Sequence, residues 1–355
     1  MKKYLPKIFA FVPLVLIIAS ISYFIDPENK FNGEKYAKGV ADILLDGKNA
    51  ANTYNYDLRL LEKYYIGGLK TNPDRVILGA SKEMLINGSF FKDSSRVINS
   101  CVNSATIEDV MAIYDMYIQK GLHPKKLVIG IDPYNFNEGS YKPLYGSVRE
   151  YYFDMCSRLH INVNHGSEIK FRYGKYTDLF SPGYVQKSLL FLLSTGNSHS
   201  YYATDSTLNN SETKLVDGSI TYGLTYRKNA QVDIDENARN YLPEFITHFK
   251  SPKDKLSQNL ENQFEKFIDF AKGQGEDISI LYLPYHPIVY SKMKMEPKFN
   301  TAFLCEKYLR TLSHSKHIHF YGSLDPSVFG LSSADFYDGL HLKKAGLMKV
   351  LEQER

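Results

Sequence analysis

Residues 8–25 (IFAFVPLVLIIASISYFI) form an apolar run of eighteen positions without a charge, and the pattern breaks at Asp26. At a helical rise of about 1.5 Å per residue the run spans about 27 Å, just enough to cross a bilayer. The next segment, 26–33 (DPENKFNG), is a polar linker containing Pro and Gly. From 34 to about 69 the apolar positions Val40, Ile43, Leu44, Leu58, Leu61 and Tyr65 predict a pair of lead-in helices. Asn72-Pro73-Asp74 signals a turn, after which 75–79 (RVILG) is too short for a helix and reads as a buried strand. A second run, 96–99 (RVIN), precedes 107–119, where Ile107, Val110, Met111, Tyr114 and Ile118 keep helical spacing until Gly121 stops them. With 126–131 (KLVIGI), the most strand-like segment, this strand–helix–strand order predicts a parallel unit.

Between 134 and about 250 the periodicity weakens and short apolar runs alternate with Ser, Asn, Gly and Tyr clusters, as in an insertion or cap. Regular alternation resumes with a helix at 254–272, a strand at 278–283, a helix around 297–313, a strand at 317–321 and a last helix at 343–354. The pattern therefore predicts an α/β fold, a mostly parallel sheet with helices on both faces. Its organisation is a start and anchor (1–25), linker and lead-in helices (26–71), a first core part (72–134), an insertion (135–250) and a second core part (251–355).

Lys2, Lys3 and Lys7 precede the apolar run, which keeps the start cytoplasmic and sends the bulk of the chain outward, a single-pass, extracytoplasmic arrangement. A cleaved signal peptide shares the Lys-rich start and the small residues Ala19 and Ser20, but this run exceeds an ordinary signal core of about 7 to 15 residues and lacks a clear Ala-x-Ala. Charge changes the picture little. Lys+Arg 43 against Asp+Glu 39 gives +4, three charges of which lie before the run, so no nucleic-acid footprint is expected. Cys101, Cys156 and Cys305 lie far apart without a Cys-x-x-Cys pair, which excludes a zinc knuckle or disulfide framework. His317 and His319 lack a nearby Cys or carboxylate cluster, so no metal is expected, and no cofactor motif appears. Tyr reaches 28 with Trp absent, so a sugar-stacking surface would be built mainly from tyrosine.

In open parallel sheets ligands bind beyond the carboxyl ends of the strands. The residues placed there are Ser81, 99–104, 132–135, Tyr285 with His286, and the loop 335–342. Ser81 follows the first strand in Gly79-Ala80-Ser81, where the start of a helix would offer backbone N–H groups to an oxyanion; serine is equally a helix N-cap. A serine hydroxyl needs a base, and a histidine needs a carboxylate to fix its tautomer. Asp338 and His341, three apart before the last helix, would supply both. Lys82 belongs to no Ser-x-x-Lys dyad, because position 84 is Met, and Cys101 reads as a buried thiol. Tyr285-His286-Pro287 would line an acceptor site.

Gly-x-Ser after the first strand together with Asp-x-x-His before the last helix resembles the SGNH/GDSL hydrolase superfamily. In particular the chain is similar to its membrane-tethered branch that acylates cell-envelope polymers, the alginate O-acetylation proteins and the D-alanylation protein of teichoic acids. The resemblance covers roughly 72–134 and 251–351. It implies a three-layer αβα, flavodoxin-like fold, with Ser81 as nucleophile, His341 as base and Asp338 as its orienting carboxylate. The family's second block, a glycine-containing turn giving an oxyanion N–H, would fall in or near 99–104, which holds no glycine. Its third block, usually Gly-x-Asn-Asp, aligns with Gly130-Ile131-Asp132-Pro133 and puts Asp132 where a donating Asn is expected. An ionised carboxylate only accepts hydrogen bonds, so Asn103 is the candidate donor beside the Ser81 N–H, with Ser104 and Tyr134 as further binding candidates.

The resemblance implies an extracytoplasmic O-acyltransferase, acetyl being the expected group, that acts on a cell-surface polysaccharide through an acyl-serine. The donor would come from a membrane-embedded acyl-transfer partner. A carbohydrate O-acetylesterase uses the same triad with water as acceptor. A third reading is a non-catalytic polysaccharide-binding or assembly protein on a decayed hydrolase scaffold.

Overall fold

The computed structural model describes residues 5–93, 95–137, 144–163, 174–194, 200–249 and 255–352, the side chains of 5–11 and 242–249 excepted. The predicted charges Lys2 and Lys3, the Lys7 side chain and the predicted helix ends Asp254 and Glu354 lie outside the described residues. The apolar run becomes one helix, α1 (Leu5–Ile25), with Pro13 inside it. Among the described residues no helix is long and apolar enough to cross a membrane, so the expected anchor rests on the sequence pattern alone. Asp26 stops α1 with a left-handed φ of 43°. Its buried carboxylate accepts the N–H groups of Lys30, Phe31 and Asn32 at 2.8, 2.9 and 2.8 Å, fixing the linker.

Two lead-in helices, α2 (Gly33–Leu45) and α3 (Leu58–Gly68), pack together as their apolar stripes require. A strand that the pattern does not predict, β1 (Asn49–Ala51), lies between them. The first core part holds β2 (Arg75–Leu78), β3 (Val97–Asn99), α4 (Ile107–Gln119) and β4 (Lys126–Gly130). Residues 135–250 contain α5 (Arg149–Arg158), α6 (Pro182–Leu193), α7 (Leu224–Arg227) and α8 (Gln231–Phe249). They also hold three short strands, β5 (Tyr202–Thr204), β6 (Thr213–Lys214) and β7 (Ile220–Thr221). The last part holds α9 (Gln258–Gly273), β8 (Asp277–Tyr282), α10 (Pro287–Met295), α11 (Asn300–Lys316), β9 (His319–Gly322) and α12 (Lys344–Leu351).

The main sheet runs β3-β2-β4-β8-β9, and every pair in it is parallel. Alternate residues of each strand enter different cores. Val76, Leu78, Leu127 and Ile129 face α3, α4 and α9, whereas Ile77, Val128 and Leu281 face Met84, Leu347 and Val350. Burial on both faces is why these strands read as unbroken apolar runs rather than alternation, and the arrangement is compatible with αβα layering. A second, antiparallel sheet of order β5-β1-β6-β7 joins the lead-in segment to the insertion. The insertion also feeds the main core, where Val148, Tyr152, Met155 and Cys156 are buried. All three cysteines are free and buried.

One local expectation changes. His317 does not begin the last strand: it caps α11 with φ 52°, and the strand starts at His319. Pro287 starts α10, since at the first helical position proline loses no hydrogen bond.

Candidate active site

Ser81 and the loop 335–342 sit at the carboxyl end of the parallel sheet, where 260 residues of separation close to a hydrogen bond. His341 Nε2 is 2.9 Å from Ser81 Oγ, and His341 Nδ1 is 2.8 Å from Asp338 Oδ2. A carboxylate only accepts, so Nδ1 carries the proton and Nε2 is left to accept from the Ser81 hydroxyl. The loop builds this pair locally. Asp338 Oδ1 accepts the Leu340 and His341 N–H groups, both at 2.7 Å, so the same carboxyl turns the chain and aims the ring. Burial pushes the Asp338 carboxyl up, but its bond and charge contact with His341, the Tyr226 hydroxyl and the backbone donor hold it well below the usual carboxylate range.

Tyr226, on α7 of the insertion, donates its hydroxyl to Asp338 Oδ2 and stands 3.3 Å from His341 Nδ1. Tyr222 packs on Tyr226 and on the His341 ring, with centroids 4.6 and 6.0 Å away. Neither tyrosine was a candidate from the sequence. The local signal is that 13 of the 28 tyrosines fall within residues 134–250, which names no particular residue.

Instead of the helix expected at Ser81, the chain makes a single 3-10 turn, Ser81–Glu83. The reason lies beneath it, where Lys82 and Glu83 both turn inward. Glu83 is fully buried and accepts the Ala80 N–H at 3.0 Å. Burial first, then the neighbouring Asp132 charge, pushes its carboxyl up to about 8. Lys82 pairs with Asp132, donates to the Leu283 carbonyl at 3.2 Å and lies 4.6 Å from the Tyr285 ring centroid. Ser81 at the first position of the turn keeps an N–H with no partner inside it.

Asp132 is thereby corrected as a site residue: its side chain is 5% exposed and engaged with Lys82, not turned to substrate. Tyr134 and Tyr285 are buried, and neither lines the cavity beside Ser81. His286 is wholly buried beneath the 335–342 loop, with its ring against Phe336 and its Nδ1 accepting the Ile288 N–H at 3.2 Å. It caps α10 and does not form an acceptor site. Burial, opposed by Asp235, lowers its pKa.

Asn103 does border the cavity. Arg59, held by Asp109 at 2.6 and 2.8 Å, donates to Asn103 Oδ1 at 3.3 Å and to its carbonyl at 3.1 Å. Since guanidinium only donates, it takes the amide oxygen and leaves the Nδ2 hydrogens for the cavity. Ser104 follows with φ 49°, the left-handed turn that a glycine would make without strain. It does not line the cavity.

The cavity beside the triad measures about 530 Å3, and its wall includes Glu28, Tyr56, Glu212 and Tyr222 as well as Ser81 and His341. Linker, lead-in segment and insertion thus border a cavity whose Ser81 and His341 come from the turn after β2 and the 335–342 loop. A group of three or more metal-binding side chains is not found among the described residues. No protein-family model matches the chain, and no curated protein matches it significantly.

Proposed function

We propose that the chain is a serine-dependent O-acyltransferase, probed most directly as an acetyl carrier, on an SGNH-like αβα fold. In this reading α1 tethers it, the bulk is extracytoplasmic, and a cell-surface polysaccharide is the acceptor. The observation that carries the reading is the unbroken line Ser81 Oγ–His341–Asp338 opening on a cavity. As Ser81 Oγ attacks the donor carbonyl, its proton passes to His341 Nε2, and the Ser81 N–H and Asn103 Nδ2 meet the oxyanion. Loss of one such donor costs about 2.7 to 4 kcal/mol of barrier. The departing group takes the proton from His341 and leaves an acyl-serine. A sugar hydroxyl then gives its proton to Nε2 and attacks the ester carbonyl, and as the acyl bond to Ser81 Oγ breaks, Nε2 returns that proton to Oγ and frees the serine. Asp338 steadies the imidazolium in both halves. The donor's source in a membrane-embedded partner follows from the resemblance to envelope acylation proteins.

A fluorophosphonate probe should label Ser81 in the folded chain and fail on Ser81→Ala and His341→Ala. In the producing cell Ser81→Ala should reduce polymer O-acetyl content to background, and unchanged content rejects the proposal. Acetate release without transfer would make water the acceptor and the protein an esterase. Absent labelling of a folded chain would leave a binding scaffold.

A further inference from the structure

We infer that α6 is a membrane-interface helix that sinks its leucine end into the bilayer beside α1 and so holds the Ser81 cavity at the lipid surface. The inference rests on the tether reading above and adds a second contact to it. Residues 189–193 read LLFLL. Leu189, Leu190, Leu192 and Leu193 are 41, 60, 65 and 77% exposed, and Phe180 just before the helix is 56% exposed. A helix apolar all round belongs in a protein core or in lipid, and this end of α6 is in no core.

Its neighbourhood indicates lipid. α6 packs against α1, with Ser188 and Ser22 both fully buried and Tyr184 donating to Asp26 at the end of α1 at 2.7 Å. The outward side chains of α1, Leu14, Leu16 and Ile17 among them, are 52, 60 and 56% exposed, so the leucines continue an apolar surface that already needs lipid. Lys175, just before the helix, is a cation suited to anionic headgroups. A protein-binding patch would ordinarily carry a polar rim and hydrogen-bonding groups among its apolar residues; 189–193 offers only side chains without donors. The link to the site is direct, because Lys187 donates to Glu28 Oε1 at 2.5 Å and Glu28 borders the cavity.

The chain contains no tryptophan, so single introduced indoles report without background. Full-length Leu190→Trp, Ile17→Trp and Val232→Trp chains would be reconstituted in vesicles of phosphatidylcholine and phosphatidylglycerol. Leu190 is a surface position, so its replacement leaves the core intact. Emission from Leu190→Trp should shift to the blue and be quenched by brominated acyl chains about as strongly as Ile17→Trp. That quenching should be several-fold stronger than at Val232→Trp, a 68% exposed site on α8. If Ile17→Trp is quenched and Leu190→Trp emits as an aqueous indole, the inference is overturned and the tether stands. An unquenched Ile17→Trp removes the tether, and the inference with it. Shielding of Leu190→Trp only after membrane proteins are added overturns it in favour of a protein partner.

Discussion

Tyr226 reaches the acid from the insertion, a part of the chain remote from both the serine and the Asp-x-x-His loop. Its hydroxyl withdraws charge from Asp338 Oδ2 and stops the carboxylate from rotating away from the imidazole. Tyr226→Phe keeps the ring stack on Tyr222 and Tyr337 and deletes only that bond. The expected result is a folded protein whose Ser81 reacts with the fluorophosphonate about tenfold more slowly, the equivalent of about 1.4 kcal/mol. Glu83 carries a different consequence. Burial raises its carboxyl to about 8, so the folded chain retains a proton that the unfolded chain gives up near the ordinary value of about 4.3. Stability from this group is therefore fully present below about pH 4.3 and declines up to about pH 8, with a slope reaching about 1.4 kcal/mol per pH unit. Urea titrations across that range should show the decline, and Glu83→Gln, which retains an acceptor for the Ala80 N–H, should flatten it. The serine, the histidine and its aspartate were legible as residue types in order. Arg59, Lys82 and Glu83 were not, since a charged side chain in a sequence reads as surface until the fold shows it buried.

At the scale of elements, the site depends on how closely β2 and β4 pass around Glu83. A Cβ on Gly130 would fall 2.6 Å from Glu83 Cγ and closer still to its Cδ, and one on Gly79 would fall 2.9 Å from Glu83 Oε2. Glu83 is fully buried and its Oε2 holds the Ala80 N–H under Ser81, so it cannot swing aside cheaply. Gly130→Ala should destabilise by about 1–3 kcal/mol, as overpacking in a filled core does, read as a lower denaturation midpoint with Ser81 labelling reduced in parallel. Strands β2, β3, β4 and β8 were readable because burial on both faces writes an apolar run into each, whereas β9 at the sheet edge is only partly buried. Strands β1, β5, β6 and β7 were not, since two or three residues such as Thr213-Lys214 or Asn49-Ala50-Ala51 contain no period. β1 finds its partners β5 and β6 more than 150 positions away, and only β6 and β7 pair locally. The helix expected at Ser81 failed for a related reason: inward-facing Lys82 and Glu83 set the turn more strongly than local propensity.

Across the whole molecule, the lead-in helices and the insertion hold each other. β1 pairs with β5 on one side and β6 on the other. Buried Glu62 on α3 faces buried Lys214 on β6 at 3.8 Å, and Tyr65 donates to the Val216 carbonyl at 2.6 Å. Ala37, Val40, Leu44, Leu61 and Ile66 enter the main core directly. A chain starting at Asp26 should therefore unfold in one cooperative transition by circular dichroism. One starting at Asn72 should lose that transition, because it leaves Lys214 buried without its partner and one side of the core open to water. A cooperative transition in the shorter chain would make the lead-in helices an accessory. Division of the chain into separate linker, core and cap segments follows composition, whereas packing crosses those borders.

The three cysteines give the molecule one more property. Each thiol is enclosed, and burial pushes all three away from the reactive thiolate. Thiol–disulfide exchange therefore finds no reactive cysteine on the folded protein. A single cysteine placed on its surface would thus be the one handle open to a maleimide, so any chosen position could carry a label with the native sulfurs left in place.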